Sequence, residues 1–242
     1  MATSKSFDVR PLVSRIADVL REQIISGELS PGRRIAQEEV ASSLGVSRTP
    51  IREAFQLLAA EGWVRTKPRT GVEVTSLSSD EVQDIAVMRL LAEPYAAGLN
   101  AQVHDEGCEE DAQSLAGQQI PSHDEHSWFD RVESVNRQFH FLIYGMLDGQ
   151  LPGLLESSIR LHWDRFARYR RLRWAEESLI RRSHEQHQAI LEAWMKRDAV
   201  ATQHAVAAHI VPVAVDLVHR IDPDASLKAS FVRLSAMADV DL

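Results

Sequence analysis

The sequence predicts a mainly α protein: an N-terminal winged helix-turn-helix with a small β-hairpin wing, followed by an all-α antiparallel helical bundle. Three observations predict it. A helix, a glycine turn and a second helix start lie within residues 37–58; two short alternating stretches with a Pro/Gly turn between them fill 63–74; and long runs of helical periodicity, with no strand pattern, occupy the chain after residue 75.

Gln37 to Leu44 is a short amphipathic helix with Val40, Ala41 and Leu44 at helical spacing. Gly45 comes next, the residue that most easily takes a left-handed conformation, so the chain turns sharply there. Ser47 is placed to cap a second helix through its hydroxyl, leaving backbone donors of the first turn for a phosphate oxygen. Pro50 is tolerated in that first turn, where a helix makes no use of its missing N–H. Ile51, Ala54, Phe55 and Leu58 commit one face to a core, which leaves Arg48, Thr49 and Arg52 on the other. A guanidinium forks onto guanine O6 and N7 or onto phosphate, and a threonine hydroxyl serves either. Helix-turn-helix proteins present the start of their second helix to base edges in this way. The turn alone suits an ordinary helical hairpin with exposed arginines equally well. Residues 61–74 separate the two: Glu61-Gly62 closes the helix, Trp63-Val64-Arg65-Thr66 alternates, Lys67-Pro68-Arg69-Thr70-Gly71 turns, and Val72-Glu73-Val74 forms a second strand. The tip carries Lys67 and Arg69, placed to meet the DNA backbone or minor groove.

Thr75 to Asp80 is a short polar link that ends in good helix caps. Glu81 to Val103 then reads as a long helix with Val82, Ile85, Ala86, Met88, Leu91, Ala92 and Ala96 facing inward and a bend at Pro94. His104 to Pro121 is polar, a loop with a short helix. Further helices are expected at Ser127 to Leu147, at Leu151 to Arg171 after an Asp148-Gly149 turn, at Glu176 to Lys196 and at Asp198 to Ile221. A loosely held tail is expected from Asp222 onward. Arg165, Arg168, Arg170, Arg171 and Arg173 read as solvated or interfacial surface.

At 242 residues the chain is long enough for two cores. A single cysteine, Cys108, excludes a disulfide framework within one chain and fits a reducing cytoplasm. No apolar run approaches the roughly 20 residues that span a bilayer, and no apolar signal core opens the chain, so no membrane partner is expected. The net charge of −8 argues against nucleic acid until its distribution is read. Residues 1–76 hold 11 Lys+Arg against 9 Asp+Glu, a net of +2, which leaves −10 for the remainder. Cations concentrate where a phosphate-facing surface needs them, and the acidic remainder disfavours indiscriminate binding.

All ten histidines lie beyond residue 100. Asn136 and His140, four residues apart, project from one helix face, while His187 and His209 lie on two other helices. A bundle that brings them together offers three imidazoles and one oxygen to a divalent transition metal. Spacing alone fits better with hydrogen-bonded or partly exposed histidines without a metal. No His-Glu-x-x-His pattern supplies the acid or base of a metal hydrolase.

The segments Ile25 to Ile35, Leu44 to Ala54, Glu61 to Val64 and Pro68 to Val72 together resemble the DNA-binding domain of GntR-type bacterial repressors. The second half is similar to the FCD-type effector domain of the FadR branch of that family. Met88-Arg89-Leu90-Leu91-Ala92-Glu93, Asn136-Arg137-Gln138-Phe139-His140, the run Glu185 to Ala193, and Ala207-Ala208-His209-Ile210 carry this likeness, in order. The resemblance implies a DNA-binding domain at 1–76, an effector-binding and dimerisation domain at 77–221 and a tail at 222–242. It implies operator contacts from Arg48, Thr49 and Arg52 at the helix that Ser47 opens, with a close approach of backbone to DNA at Gly71. Glu38, where some members carry a basic residue, is assigned no contact. The family's metal ligands match Asn136, His140, His187 and His209, with asparagine in place of aspartate. Zinc or nickel at such a site is therefore expected to be weakened or absent, since one negative charge is lost. Arg89 matches an arginine that reaches the effector's acid group; an ion pair with Glu93 is the alternative. Tyr144 and Trp163, with Phe166 and Tyr169, are candidates for the same cavity. The implied function is a cytoplasmic homodimer on double-stranded operator DNA, not an enzyme, repressing organic-acid uptake or breakdown genes in answer to a small organic acid. Alternatives are a metal-sensing regulator and a metal-dependent hydrolase fused to a DNA-binding head.

Overall fold

The structure, a computed structural model, describes residues 11–67, 71–118, 128–147, 151–173, 176–240 and 242. Arg69 with its neighbours Pro68 and Thr70, the helix start expected at Ser127 and the Asp148-Gly149 turn lie outside these residues. The chain divides into two compact units, Met1–Ser76 and Leu77–Leu242.

The first unit runs α1 (Leu12–Ile25), β1 (Arg34–Ile35), α2 (Gln37–Leu44), α3 (Arg48–Ala60), β2 (Val64–Lys67) and β3 (Gly71–Val74). Its core is built from Ile16, Leu20 and Ile24 of α1, Ile51, Phe55 and Leu58 of α3, and Trp63, Val64, Val72 and Val74. Gly45 closes α2 at φ +66° and so permits the turn into α3. The wing is one strand larger than the expected hairpin: β1 joins β3, giving an antiparallel sheet in the order β1-β3-β2. A two-residue strand shows no alternation, so nothing in its sequence betrays it. Trp63 belongs to the helix exit, its N–H bonded to the Leu58 carbonyl at 2.9 Å, and the strand begins one residue later.

The second unit holds α4 (Ser79–Val103), α5 (Glu106–Ala116), α6 (Trp128–Ile143), α7 (Gly153–Arg173), α8 (Glu177–Met195), α9 (Ala199–Ile221) and α10 (Ala229–Met237). Ser78, Asp105 and Asp198 cap α4, α5 and α9 by accepting the backbone N–H three residues on. The core lies among α4, α6, α7, α8 and α9, around Ile85, Ala97, Phe139, Tyr144, Trp163, Phe166, Ile190, Trp194, Ile210 and Leu217. By length and composition α9 matches a membrane-crossing helix, against the expectation that no apolar run comes close; its residues Val206, Ile210, Val211, Leu217 and Val218 are buried in this core.

Three further expectations need correction. Along α4, Met88 and Leu91 face outward, 39% and 57% exposed, while Arg89 and Glu93 face inward. Val82, Ile85, Ala86, Ala92 and Ala96 are buried as expected; periodicity failed at these two positions because an arginine and a glutamate one turn apart neutralise each other and take core positions together. The arginine run of α7 is not solvated throughout: Arg168, Arg170 and Arg173 are buried, paired with Glu81, Glu133 and Asp216. The segment after Asp222 is not a loose tail. It forms α10, whose Phe231 is fully buried, and Lys228 ties it to Asp84 of α4 at 2.8 Å.

Candidate functional site

Two places carry functional chemistry, one in each unit. At the start of α3, Arg48, Thr49 and Arg52 are all exposed, while Ile51, Ala54 and Phe55 one step round the helix are buried. Ser47 stands at the N-cap position with extended backbone, but its side chain makes no cap hydrogen bond; the hydroxyl is free for another acceptor or donor. Arg48 Nη1 lies 3.1 Å from Glu38 Oε1, a pair in which both side chains remain largely exposed, at 70% and 64%. Water competes for both ends of such a contact, so a phosphate can displace the carboxylate. Lys67 on β2 pairs with Glu73 of β3 at 2.7 Å, and Gly71 has φ +92°. The Arg48–Glu38 contact was not foreseen; its only signal was the one-turn approach of α2 and α3.

Inside the second unit, α6, α8 and α9 bring His140, His187 and His209 together, their ligand nitrogens all within 4.8 Å of one another. His140 Nε2 and His187 Nε2 are 3.0 Å apart. The partners set the tautomers. Tyr144 donates its hydroxyl to Glu93 Oε2 at 2.8 Å, so its oxygen accepts Nδ1–H of His140 at 3.0 Å, which leaves His140 Nε2 bare. Burial, then the Glu93 charge, raises the Tyr144 hydroxyl's pKa well above its ordinary value and keeps that donor protonated. His209 gives its Nδ1–H to Gln186 Oε1 at 3.0 Å, so its Nε2 is bare too. In a metal-free centre His187 therefore carries the proton between the two facing Nε2 atoms. Burial, ahead of neighbouring charges, lowers all three pKa values, His187 to about 3. Neutral, oriented imidazoles are what a metal requires, and these three fit a divalent transition ion such as zinc.

Asn136, one turn before His140, is buried and lines a small cavity with His209, Arg89, Trp163, Arg170 and Arg173. Arg89 is paired with Glu93: Nε and Nη2 reach its two oxygens at 2.6 and 2.9 Å. The ion pair with Glu93 is thus present, and Arg89 also borders the cavity. Burial opposes its charge, but Glu93 outweighs burial and its pKa is raised. Two guanidinium carbons lie over the Trp163 ring, Arg170 at 4.4 Å and Arg89 at 5.0 Å from its centroid. Tyr144 stands against His140 and Glu93. Glu93, Arg170 and Arg173 were missed as site residues; the four-residue spacing of Arg89 and Glu93 was the one usable signal.

An exposed cationic helix start on a winged unit, in one chain with a helical unit that holds a buried histidine centre, is the make-up of a transcriptional regulator. The family model for bacterial regulatory proteins of the gntR family matches residues 12–74, and that of the FCD domain matches residues 84–211. The chain belongs to the GntR family and carries an FCD effector-binding domain. The transcriptional regulator YdhC of Bacillus subtilis is 31% identical, over 82% of this chain and 88% of its own. The regulator BphR of Paraburkholderia xenovorans is 30% identical, covering 84% of each, and the transcriptional repressor RspR of Escherichia coli 29%, covering 85% and 88%. Among solved structures, McbR/YncC of E. coli has a TM-score of 0.71 at 20% identity, covering 88% of this chain and all of that one, a likeness of fold. These relatives are regulators, not enzymes.

Glu93→Gln leaves Arg89 buried without its counter-charge, and thermal unfolding should show a loss of about 3–5 kcal/mol; a melting curve like that of the unsubstituted protein would contradict the pairing. The histidines also set an acid limit. Their folded pKa values are depressed, His187 from 6.5 to about 3, so the unfolded chain binds more protons between those values; stability is full above 6.5 and declines as pH falls. The melting temperature should drop through that window more steeply for the native sequence than for His187→Gln, and parallel slopes would count against it.

Proposed function

We propose that the protein is a homodimeric, ligand-responsive regulator, most simply a repressor of genes for uptake or breakdown of a small organic acid, acting in the cytoplasm. The observation that carries this reading is the exposed Arg48, Thr49 and Arg52 surface at the N-terminus of α3, with the β2–β3 wing beside it in the same compact unit. Two heads read an inverted repeat with half-sites about one helical turn apart. Arg48 and Arg52 contact bases or phosphates, Thr49 and Ser47 add hydroxyls, and Lys67, Arg69 and Gly71 bring the wing to the backbone. The name of the E. coli relative, a transcriptional repressor, supports the sign of the response.

In the second unit, His140, His187 and His209 would hold a divalent metal, with Asn136 as a neutral oxygen donor. The metal would supply a Lewis-acidic centre for an effector carboxylate. Arg89, Arg170 and Trp163 orient that acid from the cavity wall. Differential binding of effector to two arrangements of the heads alters operator affinity; a coupling of about 1–3 kcal/mol gives roughly 5- to 150-fold regulation. A metal-sensing regulator is the second reading, favoured by the preset tautomers of His140 and His209. Met88, Leu91, Tyr95, Leu99 and Val103 form one exposed apolar face of α4, and a second copy of the same face is the occupant that the two-headed reading of DNA requires.

Gel shifts on promoter fragments flanking the gene test the reading. Arg48→Ala should abolish specific retention with the fold intact, whereas Glu38→Gln, which frees Arg48 and removes a charge facing phosphate, should strengthen it; equal affinity of Arg48→Ala and the unsubstituted protein would refute the assignment. Leu91→Glu with Tyr95→Glu should halve the mass seen in sedimentation, and an unaltered dimer would place the interface elsewhere.

A further inference from the structure

Arg48, the first residue of α3, has Nη1 3.1 Å from Oε1 of Glu38 in the first turn of α2. The backbone between the two helices sets this approach. Gly45 turns at φ +66°, the Val46 N–H returns to the Ala41 carbonyl at 3.0 Å, and Ala41 and Ile51 are buried in one core. The fold itself has little use for the pair. Its side chains are 70% and 64% exposed, and water competes for both, so the contact adds little stability. Glu39, in the same first turn, already complements the N-terminal end of the α2 dipole. A carboxylate on a surface that meets phosphates also lowers affinity for DNA of any sequence. What Glu38 changes is the kind of acceptor that suits Arg48.

A guanidinium has two edges. Glu38 stands at Nη1, and among the described residues nothing accepts a hydrogen bond from the edge made by Nε and Nη2. Arg89 presents that same edge to Glu93 as a two-pronged donor. Two parallel N–H groups are also what O6 and N7 of guanine accept. The guanine edge carries no net charge, so Glu38 can keep its hold on Nη1 while the other edge forks onto the base. A phosphate has to displace Glu38 and then lies beside its charge. The carboxylate therefore penalises a phosphate contact more than a guanine contact.

Resting on the reading of this helix start as the DNA face, we propose that Glu38 is a positioning residue for base selection. It touches no DNA; it holds Arg48 by Nη1 and directs the opposite edge to a guanine in place of a phosphate. Binding to every sequence is weakened, and binding to the wrong sequences is weakened more, so specificity rises as affinity falls.

A promoter fragment retained by the full-length protein is compared with a non-operator duplex of equal length over a series of salt concentrations. Glu38→Gln keeps the shape and removes the charge. Its affinity should rise on both duplexes, and by about tenfold more on the non-operator one at low salt. There the slope of log affinity against log salt should steepen by about 0.9, the mark of one added phosphate contact. In an Arg48→Ala background the same substitution should steepen nothing, because the group through which Glu38 acts is gone. A charge that only repels DNA acts alike in both backgrounds. 7-Deazaguanine, which lacks the N7 acceptor, is then placed at each guanine of the fragment in turn. One position should weaken the unsubstituted protein about tenfold, and Glu38→Gln less. Equal gains on the two duplexes, or equal steepening with and without Arg48, overturn the role of Glu38 and leave the DNA face standing. A fragment in which no guanine responds overturns the base contact. Failure to retain DNA of any sequence overturns the DNA face and this proposal together. Thermal melting should show each variant folded.

Discussion

The arrangement of the helical unit depends on one ion pair in its interior. Arg89 and Glu93, a single turn apart on α4, are almost wholly removed from water and joined through two hydrogen bonds. Neither could sit there alone, because an uncompensated charge in such surroundings is prohibitive. Once paired, their spare valences direct the neighbours. Glu93 takes the Tyr144 hydroxyl, Tyr144 takes the His140 proton, and the opposite nitrogen of His140 is turned toward the other two imidazoles. The guanidinium meanwhile lies against Trp163 and Phe166, fixing the aromatic wall of the cavity. Stability gains little from such a pair compared with apolar residues of equal size; what it secures is a unique orientation for a polar centre.

The two candidate sites obey opposite rules. The candidate DNA face keeps its cations in water, with Arg48 beside the exposed carboxylate of Glu38, as suits a large anionic partner approached from outside. The histidine centre holds donors and acceptors in fixed positions before any ligand arrives, so little reorganisation accompanies binding. A regulator needs both: a surface that associates and dissociates, and an interior that discriminates.

The head was legible in the sequence because its signals are local. Gly45 and Pro50 each restrict the backbone within a few residues, and the left-handed turn at Gly45 leads directly into the helix start that carries Arg48, Thr49 and Arg52. The convergence of His140, His187 and His209 was readable as a common pattern on three helices, but their tautomers were not, since these depend on Tyr144 and Gln186 across the packing. The facing of α4 was misread at Met88 and Leu91 because periodicity counts apolar residues and cannot register two charges that cancel. The same blindness put the α7 arginines in solvent, whereas Glu81, Glu133 and Asp216 draw them inward from other helices. β1 and α10 escaped for a different reason: each is short and stabilised by what it packs against, through Val72 in one case and the first turns of α4 in the other.

The attachment of α10 joins two regions that are far apart along the chain. Its leading residue Lys228 is held by Gln83 and Asp84, close to where α4 emerges from the link after Ser76, and Phe231 shuts off the core behind them. A stop codon just ahead of Lys228 would consequently take Phe231 out of the core and remove the ties to Gln83 and Asp84 on the first turns of α4. A lesion late in the chain would be felt where α4 begins.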